Sequence, residues 1–544
     1  MLSLNKKQLS IQLEFSQSKL LDLKNKLKKI IFPLLIIVLS IVSVYLFFHY
    51  LDTGLGLAYN DARSRLDIGR RVVEGLKPGL AQIGSVWLPL THLLMVPTVW
   101  NDWMWHSGFS GAVQSMIAFV ATSTVIYKML EKLNVGVLGR IFGVLVFVLN
   151  LNILYLQSTA LTELMLLATM TYGAYEFLRW HQTDNLLYLI RASFFIMLST
   201  LIRYDGWFLF FVAALLVVYR AFKKKGYYMS EGMFIIFCTL GGLGIVLWFL
   251  WNLVIFNDPL YFAFGPFSAH AQQSHLDAAG VLQTKHNIIL SLKMYWYAMV
   301  YNSGMLPVIL GIFGAAIAWF DKKITKDTKV ALLTLLAPFL FNVIALYLGH
   351  SVLFVQGISG NTWFNIRYGI MMIPSLAIFA GLFFDRLKPL RFLIAGVFML
   401  TVFFQFANYD AVTIEDGMVG SSQKNVSEVS NWLKDTVTTE SGFIMISAAS
   451  HDAIIFSSGL PMKRFIHEGT GAYWDSASVS PDRWARWIVM RTHDENDLTF
   501  KAVNQSGVIE KYELVAAYPF ADVYQLKEEF LPQLNTEANL KQYK

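Results

Sequence analysis

The chain has 544 residues, of which 55% are hydrophobic and only 15% are charged. The core of a soluble protein of this size cannot bury so much apolar surface, so the composition excludes a soluble globular protein and indicates a polytopic membrane protein. Cys238 is the only cysteine. Disulfides within the chain, thiolate metal clusters and redox chemistry by cysteine pairs are therefore excluded.

Charge divides the chain into two parts. Residues 1–409 carry 32 Lys and Arg against 18 Asp and Glu, whereas residues 410–544 carry 12 against 19. We predict a transmembrane domain over 30–409 and a soluble domain over 410–544. Residues 1–29 are polar and basic with apolar residues at helical spacing, which predicts an amphipathic helix on the anionic cytoplasmic lipid surface.

Apolar runs long enough to cross a bilayer recur through the first part of the chain. A spanning helix needs about 20 apolar residues, and we count about eleven such runs. The sequence therefore predicts a polytopic α-helical membrane protein. The runs are residues 31–51, 107–130, 137–157, 159–178, 186–203, 205–222, 232–256, 304–320, 330–350, 366–385 and 391–409.

Basic residues orient these spans, because cytoplasmic loops retain Lys and Arg. Lysines precede the first span, and a basic run that begins at Arg220 follows the sixth. This pattern places the N-terminus in the cytoplasm and residues 410–544 on the extracytoplasmic side of the cell membrane. It also places two long connections, residues 52–106 and 257–303, on that outer side.

From Asp410 onward, short alternating apolar runs replace the long ones, which predicts a small α/β domain. No glycine-rich phosphate loop follows any predicted strand, so we expect no nucleotide site. We interpret this domain as a cap over the substrate or as a module that docks the acceptor. The predicted strands are GFIMISA, KRFIHEG, RWIVMRT and, as a closing strand or hairpin, YELVAAYPFADVYQL.

The stretch AYNDARSRLDIGRRV concentrates charge directly after the first span. A carboxylate beside the membrane is costly and points to function, which makes Asp61 the leading candidate for a catalytic residue. Tyr59 and the preceding glycines suit a turn at the bilayer surface, and we expect an interfacial helix to begin near Asp61. The structural alternative is that Asp61 only caps this helix by accepting backbone N–H bonds.

Other charged residues fall on the same side of the predicted membrane. Glu163 begins the fourth span, Arg203 follows the fifth, and Arg367 lies at the outer end of the tenth. Asp67 shares the loop of Asp61, and we count Asp67 and Tyr59 among the candidate substrate-binding residues, together with Glu163, Arg203 and Arg367. Arginines that meet carboxylates suit a site where a phosphate is bound and a carboxylate handles a proton. For each arginine the alternative is a structural salt bridge or a contact with lipid phosphate.

The second outer connection reads FNDPLYFAFGPFSAHAQQSH and contains His270 and His275 among aromatic residues. Aromatic faces suit sugar rings and prenyl chains, so we include His270 among the candidate substrate-binding residues. The two histidines are also candidate ligands of a divalent metal, although no fixed third ligand accompanies them. A polar lining of the cleft is the alternative.

The order of short motifs resembles that of the GT-C superfamily of integral membrane glycosyltransferases, near glycosyltransferase family 39. The motifs are the first-loop sequence beginning YNDARSRLD, then LTE, RYDGW, NDPLYF and RYGIMMIP. That group includes protein O-mannosyltransferases and lipid A aminoarabinose transferases. The resemblance covers most of residues 30–409, while residues 410–544 carry no assignable motif.

This resemblance implies a GT-C fold and transfer of a hexosyl or pentosyl group from a polyprenyl-phosphate carrier to a glycan, lipid or protein acceptor on the outer face. Asp61 matches the catalytic aspartate, which acts as a general base or positions the acceptor hydroxyl. Arg203 and Arg367 would hold the leaving lipid phosphate, and Glu163 would bind sugar hydroxyls. Beyond the lipid-linked donor no cofactor is implied with certainty, a divalent metal stays open, and we expect no nucleic acid partner.

Ala62 departs from the family pattern, because several relatives carry a second acid directly after the catalytic aspartate. The sequence leaves open whether Asp67 or Glu163 supplies a second carboxylate. A secondary transporter or lipid flippase is the alternative function, although the acids collect at outer helix ends rather than at the membrane midplane. The third hypothesis is a membrane anchor whose outer domain, residues 410–544, is the active part.

Overall fold

A computed structural model describes residues 30–540, apart from residues 267, 279 and 421–425. The predicted amphipathic segment, residues 1–29, lies outside the described residues. A helical membrane part is followed by a domain built on a five-stranded sheet. We call residues 427–540 the sheet domain.

The helices of the membrane part are numbered in chain order. They are α1 (Ile30–Asp52), α2 (Asn60–Val73), α3 (Leu90–Val99), α4 (Asp102–His106), α5 (Phe109–Lys132), α6 (Val137–Val148), α7 (Leu151–Leu156), α8 (Glu163–Thr183), α9 (Leu186–Thr200), α10 (Asp205–Gly241), α11 (Leu243–Phe256), α12 (Tyr261–Phe264), α13 (Ala269–Ala278), α14 (Ile288–Ser303), α15 (Met305–Phe320), α16 (Lys326–Leu332), α17 (Ala337–Tyr347), α18 (Ile373–Arg386), α19 (Arg391–Asn408) and α20 (Val412–Val419).

Among the described residues, six helical segments are long and apolar enough to cross a membrane, or up to eight if each of two bent helix pairs counts as one span. The multi-pass helical membrane class is thus confirmed, while the count of eleven spans stays a prediction. The six segments are Ile30–Asp52, Phe109–Lys132, Asp205–Lys224, Lys326–Tyr347, Ile366–Arg386 and Lys388–Val419.

Each predicted apolar run overlaps a helix, but several runs are broken. The run 137–157 forms two helices, because α6 ends at Val148 and Asn150 caps α7, where its side chain accepts a hydrogen bond from the backbone N–H of Ile153 (3.1 Å). The second half of α10 meets α11 at a bend of 47°, and α14 meets α15 at 112°. Such bent pairs are not visible in hydropathy.

The membrane helices pack closely around α8 and α18, whose surfaces are mostly buried. On α15, Gly314 lies against the backbone of α18, where a Cβ would come within 1.9 Å of the carbonyl oxygen of Phe379. Only glycine permits this approach, as at other tight helix crossings in membranes.

The helix predicted to begin near Asp61 is α2, and this prediction is confirmed. It follows α1 after a short turn, and it packs against α3, where Gly69 faces Met95. Its inner face is apolar, with Ala62 and Leu66 fully buried. The helix therefore lies along the end of the helical bundle with one face covered.

The sheet domain contains the predicted strands. The strands are β1 (Phe443–Ile446), β2 (Phe465–Ile466), β3 (Ala485–Met490), β4 (Tyr512–Ala517) and β5 (Asp522–Leu526), and their order is β2-β1-β3-β5-β4. The first three are parallel, and β4 and β5 form the predicted hairpin, in which β5 pairs antiparallel with β3. The flanking helices are α21 (Ser427–Trp432), α22 (Ala448–Ser458), α23 (Ala472–Val479) and α24 (Leu498–Ser506).

The sheet domain docks onto α2 and the loop that follows it. Arg71 of α2 donates a hydrogen bond from Nη1 to Oδ1 of Asp452 on α22 (2.6 Å). Gln82 donates from Nε2 to the carbonyl oxygen of Gly469 (2.7 Å). The helix that carries Asp61 is therefore held between the membrane helices and the sheet domain.

Candidate functional site

Arg367 lies at the centre of the charged residues that the sequence analysis singled out. It belongs to a 3-10 helix, Ile366–Met372, that leads into α18, and its side chain is 5% exposed. Its Nη2 donates to Oδ2 of Asp61, and its Nε donates to Oε1 of Glu163 (3.0 Å). Three predicted site residues from distant parts of the chain thus meet.

Arg203 extends this arrangement. Its Nη1 lies 3.4 Å from Oε1 of Glu163, and its Nε donates to Oδ2 of Asp205 (3.2 Å). Acids and arginines alternate along a row, which we call the charge cluster. Its members, in order, are Asp61, Arg367, Glu163, Arg203 and Asp205.

Asp61 is the open end of the charge cluster. Its side chain is 36% exposed, whereas those of Glu163 and Asp205 are 1% and 3% exposed. The buried members neutralise one another, which is what allows charged groups to lie inside the protein. Asp61 combines an arginine partner with access to the surface, and it is the carboxylate that a second molecule can reach.

Asp61 is not the N-cap residue of α2, the role that the structural alternative assigned to it. The N-cap of α2 is Tyr59, whose side chain makes no capping bond, and Asp61 lies inside the first helical turn. The carboxylate is held by the guanidinium group of Arg367. The helix N-terminus also places partial positive charge beside this carboxylate.

Tyr59, another predicted site residue, packs beneath Arg367, whose guanidinium carbon lies 4.7 Å from the centre of the tyrosine ring. The Tyr59 hydroxyl lies within hydrogen-bonding distance of the carbonyl oxygen of Thr413 (2.8 Å) and of Oδ2 of Asp416 (3.0 Å). Burial raises the pKa of Tyr59 well above its ordinary value, so the hydroxyl keeps its proton and acts as a donor.

Sequence reasoning missed Asp416, which belongs to α20 and is fully buried. Its Oδ1 has no hydrogen-bond partner among the described residues. The acid comes just after the last span, in a stretch that its charge assigned to the soluble domain. Its position beside the membrane could have indicated a site residue, because the same feature pointed to Asp61.

Arg65 was also missed as a site residue. It lies one helical turn after Asp61 on α2, is 8% exposed, and places its guanidinium carbon 4.2 Å from the centre of the Trp87 ring. Its Nε has no hydrogen-bond partner among the described residues. Burial lowers the pKa of Arg65 to about 10, so the side chain is still charged at neutral pH. Its spacing of four residues from Asp61 could have indicated this role, because residues four apart lie on the same face of a helix.

Asn302, the next-to-last residue of α14, holds the 3-10 helix of Arg367 in place. Its Nδ2 donates to the carbonyl oxygen of Ile366 (2.7 Å), next to Arg367. Its own carbonyl oxygen accepts bonds from Asn150 (2.7 Å) and Asn152 (3.0 Å). These fixed amides restrict the position of the arginine backbone.

Asp67 does not join the charge cluster. It is fully buried on another side of α2, where its Oδ1 accepts a hydrogen bond from Nε1 of Trp105 (3.2 Å). Burial, and then the nearby carboxylate of Asp452, raise the pKa of Asp67 well above its ordinary value. Its position ties it to the contact with the sheet domain, and its proposed substrate role stays a prediction.

His270 is exposed on α13, and its ring lies 5.8 Å from that of Phe264. The side chain of His275 lies outside the described residues. Across the described part of the chain, no group of three or more His, Cys, Asp or Glu side chains is placed to hold a metal ion. The metal site predicted at His270 and His275 therefore stays a prediction.

The fold was compared with known proteins. ArnT from Cupriavidus metallidurans bound to undecaprenyl phosphate has a TM-score of 0.57 at 11% identity, with 91% of this chain and 98% of that chain covered. Its apo state has a TM-score of 0.56 with the same identity and coverage. The oligosaccharyltransferase AglB from Archaeoglobus fulgidus, in complex with an inhibitory peptide and a dolichol-phosphate, has a TM-score of only 0.43 at 12% identity, over 85% of this chain and 69% of that chain.

No family model matches the sequence, and no curated protein matches it significantly. The similarity to ArnT extends over nearly the whole of both chains. At 11% identity it establishes the architecture and not the chemistry. The chain thus shares the fold of ArnT, which agrees with the membrane architecture that the order of its motifs implied.

Proposed function

We propose that the protein is a membrane glycosyltransferase that moves a hexosyl or pentosyl group from a polyprenyl-phosphate carrier to an acceptor hydroxyl. The observation that carries this proposal is the pairing of the accessible Asp61 with the buried Arg367 and Glu163 in a GT-C fold. The ArnT structure of this fold binds undecaprenyl phosphate, which supports the same class of donor here.

Asp61 is the proposed general base. It accepts the proton of the acceptor hydroxyl as that oxygen forms a bond to the anomeric carbon of the sugar. The bond between the anomeric carbon and the phosphate oxygen breaks, and the electron pair leaves with the lipid phosphate. Arg367 fixes the direction of the Asp61 carboxylate, because its guanidinium group holds one carboxylate oxygen.

The leaving phosphate needs positive charge beside it. Arg203 and Arg367 supply guanidinium groups that already bridge two acids each. Arg65 adds a guanidinium group whose Nε has no hydrogen-bond partner among the described residues. We assign these arginines to the phosphate and Glu163 to the sugar hydroxyls, and preorganised charges of this kind stabilise the charge that develops in the transition state.

The site suits a donor that cannot leave the bilayer. Asp61 lies in the first turn of α2, nine residues after the membrane helix α1 ends at Asp52. A polyprenyl chain stays in the membrane and presents its phosphate and sugar at that level. The distribution of Lys and Arg supports an orientation in which this face and the sheet domain are extracytoplasmic.

The test compares cells that express wild type, Asp61→Asn or Asp52→Asn at matched protein levels. Asp52 is exposed at the end of α1 and makes a matched control for the loss of one carboxylate near the same face. Mass spectrometry of membrane lipids and surface glycans is the measurement. Asp61→Asn should accumulate a sugar phosphate lipid and lose one glycan residue, whereas Asp52→Asn should match wild type.

Two other outcomes contradict the proposal. If Asp61→Asn gives wild-type lipids and glycans while a strain lacking the protein does not, Asp61 is not the base. If the strain lacking the protein changes only the distribution of a lipid between the two leaflets, a flippase or transporter explains the protein better.

A further inference from the structure

A cleft of about 330 Å³ lies at the other end of the membrane helices from the charge cluster. The first half of α10 begins at Asp205, in the charge cluster, and this spanning segment of 20 residues ends at Lys224, which lines the cleft. At a rise of 1.5 Å per residue, the two ends are about 30 Å apart, the thickness of the hydrocarbon core. The cleft therefore opens at the opposite membrane surface.

Positive charge dominates this cleft. Three helices, α10, α15 and α16, meet around it, and only Asp327 among its lining residues is acidic. We call it the basic cleft. Its cationic lining residues are Arg220, Lys223, Lys224, Lys326 and Lys329.

The acids nearby do not neutralise all of these cations. Arg220 pairs with Asp184 (2.7 Å), and Lys224 pairs with Asp327. In the described part of the chain, no acid lies within ion-pair distance of Lys223, Lys326 or Lys329, whose charges therefore remain available to an anion. Arg220 is 3% exposed and its Nε has no hydrogen-bond partner among the described residues, so a buried guanidinium group contributes to the wall of the cleft.

Aromatic side chains line the same cleft. Trp319 is the next-to-last residue of α15, and Tyr219 lies one turn before Lys223 on α10. Both lining aromatic side chains are about half exposed, at 52% and 51%. Aromatic residues at the ends of spanning helices lie at the level of lipid headgroups. The cleft thus offers cations to a headgroup and an aromatic wall to the glycerol and the first acyl carbons.

We propose that the basic cleft binds the phosphodiester headgroup of an anionic phospholipid. Lysines that only set the topology of the protein need to lie on one side of the membrane, but they need not converge on a cavity. Here lysines of α10 and α16 face one cavity with a buried arginine and a tryptophan, as in the basic pockets between membrane helices that bind acidic lipids. This proposal is independent of the proposed transfer reaction.

The test uses the purified full-length protein and two double variants that remove the same charge. Lys223→Gln/Lys326→Gln removes two cations of the cleft, and Lys322→Gln/Lys323→Gln removes two exposed lysines just outside it. Native mass spectrometry with an equimolar mixture of short-chain phosphatidylglycerol and phosphatidylcholine counts the lipid that each protein retains. Wild type and the outer variant should retain phosphatidylglycerol in preference, and the cleft variant should bind it about tenfold more weakly.

Other results of these measurements would overturn the proposal. Equal losses in both double variants, or no preference for phosphatidylglycerol in wild type, overturn the proposal. If inorganic phosphate displaces phosphatidylglycerol, the cleft is a site for free anions and not for a headgroup. If the cleft variant does not fold, Trp319→Ala replaces it, since removal of the half-exposed aromatic wall should also reduce phosphatidylglycerol retention, and unchanged retention contradicts the assignment.

Discussion

Arg71 and Asp452 form a buried ion pair that joins α2 to the sheet domain. The Nη1 and Oδ1 atoms are 2.6 Å apart, and the side chains are 10% and 11% exposed. The pair therefore couples the helix that carries Asp61 to a domain more than 300 positions away in the sequence. Its removal tests whether docking of that domain fixes the position of α2.

Asp452→Asn should lower the free energy of unfolding by about 3 kcal/mol, because it leaves Arg71 buried without its charged partner. Thermal unfolding of the purified protein measures the loss, and Asp475→Asn, an exposed acid of the same domain, is the control. Replacement of the pair by Arg71→Met and Asp452→Leu together should recover part of the stability. A double variant no more stable than Asp452→Asn contradicts this account.

Tyr59→Phe should destabilise the protein by about 1–3 kcal/mol, because the buried carbonyl of Thr413 and the buried Asp416 lose their donor. The ring beneath Arg367 is kept, so the substitution isolates the hydroxyl. The shift in unfolding temperature is the measurement, and Tyr409→Phe, at an exposed position, should leave it unchanged. Equal effects of the two variants would show that the hydroxyl bonds of Tyr59 add no stability.

Gly369→Ala should reduce the proposed sugar transfer and the stability together. A Cβ at Gly369 would lie 2.2 Å from the carbonyl oxygen of Ala298, so the 3-10 helix that carries Arg367 would have to move away from α14. We expect a cost of about 1–3 kcal/mol, as for other overpacked sites. Gly396→Ala on α19 is the matched control, because its Cβ would meet no atom within 4 Å. Full activity of Gly369→Ala would show that Arg367 tolerates this shift.

Asp497 makes the sheet domain sensitive to acid. Burial acts to raise its pKa, but the hydrogen bond and charge of His451, together with backbone N–H donors, hold the pKa below the ordinary value of about 3.9. A carboxylate with a depressed pKa stabilises the folded state above the ordinary value, and this contribution is lost as the pH falls through the folded pKa.

The unfolding temperature of wild type should therefore fall more steeply below about pH 4 than that of Asp497→Asn, which lacks the titrating group. Thermal unfolding as a function of pH measures both. Parallel curves for the two proteins over this range would assign the acid sensitivity to other carboxylates.

Much of the charge cluster could be predicted from the order of spans and the side on which their ends fall. The meeting of Asp61, Glu163 and Arg367 follows from three helix ends at one membrane surface. The position of Asp67 follows from the geometry of α2 instead. At about 100° per residue, Arg65 lies about 40° around the helix from Asp61, while Asp67 lies about 120° away.

Long-range packing accounts for what the sequence did not predict. Charge counts separated residues 410–544 from the membrane part, yet α20 folds back so that Asn152 of α7 accepts hydrogen bonds from the backbone N–H (3.0 Å) and the hydroxyl (2.8 Å) of Thr413. No local pattern reports such a contact. The bend between α14 and α15 was hidden for the same reason, since both arms are apolar.

The contact between Tyr59 and α20 decides where the protein can be cut. A truncation at residue 409, the boundary suggested by charge, would remove both acceptors of the Tyr59 hydroxyl along with the sheet domain. Loss of transfer in such a fragment would then report damage beneath Arg367 rather than a need for the sheet domain. A fragment that ends after Val419 keeps Thr413 and Asp416, so this fragment is the one that tests whether the sheet domain takes part in the proposed reaction.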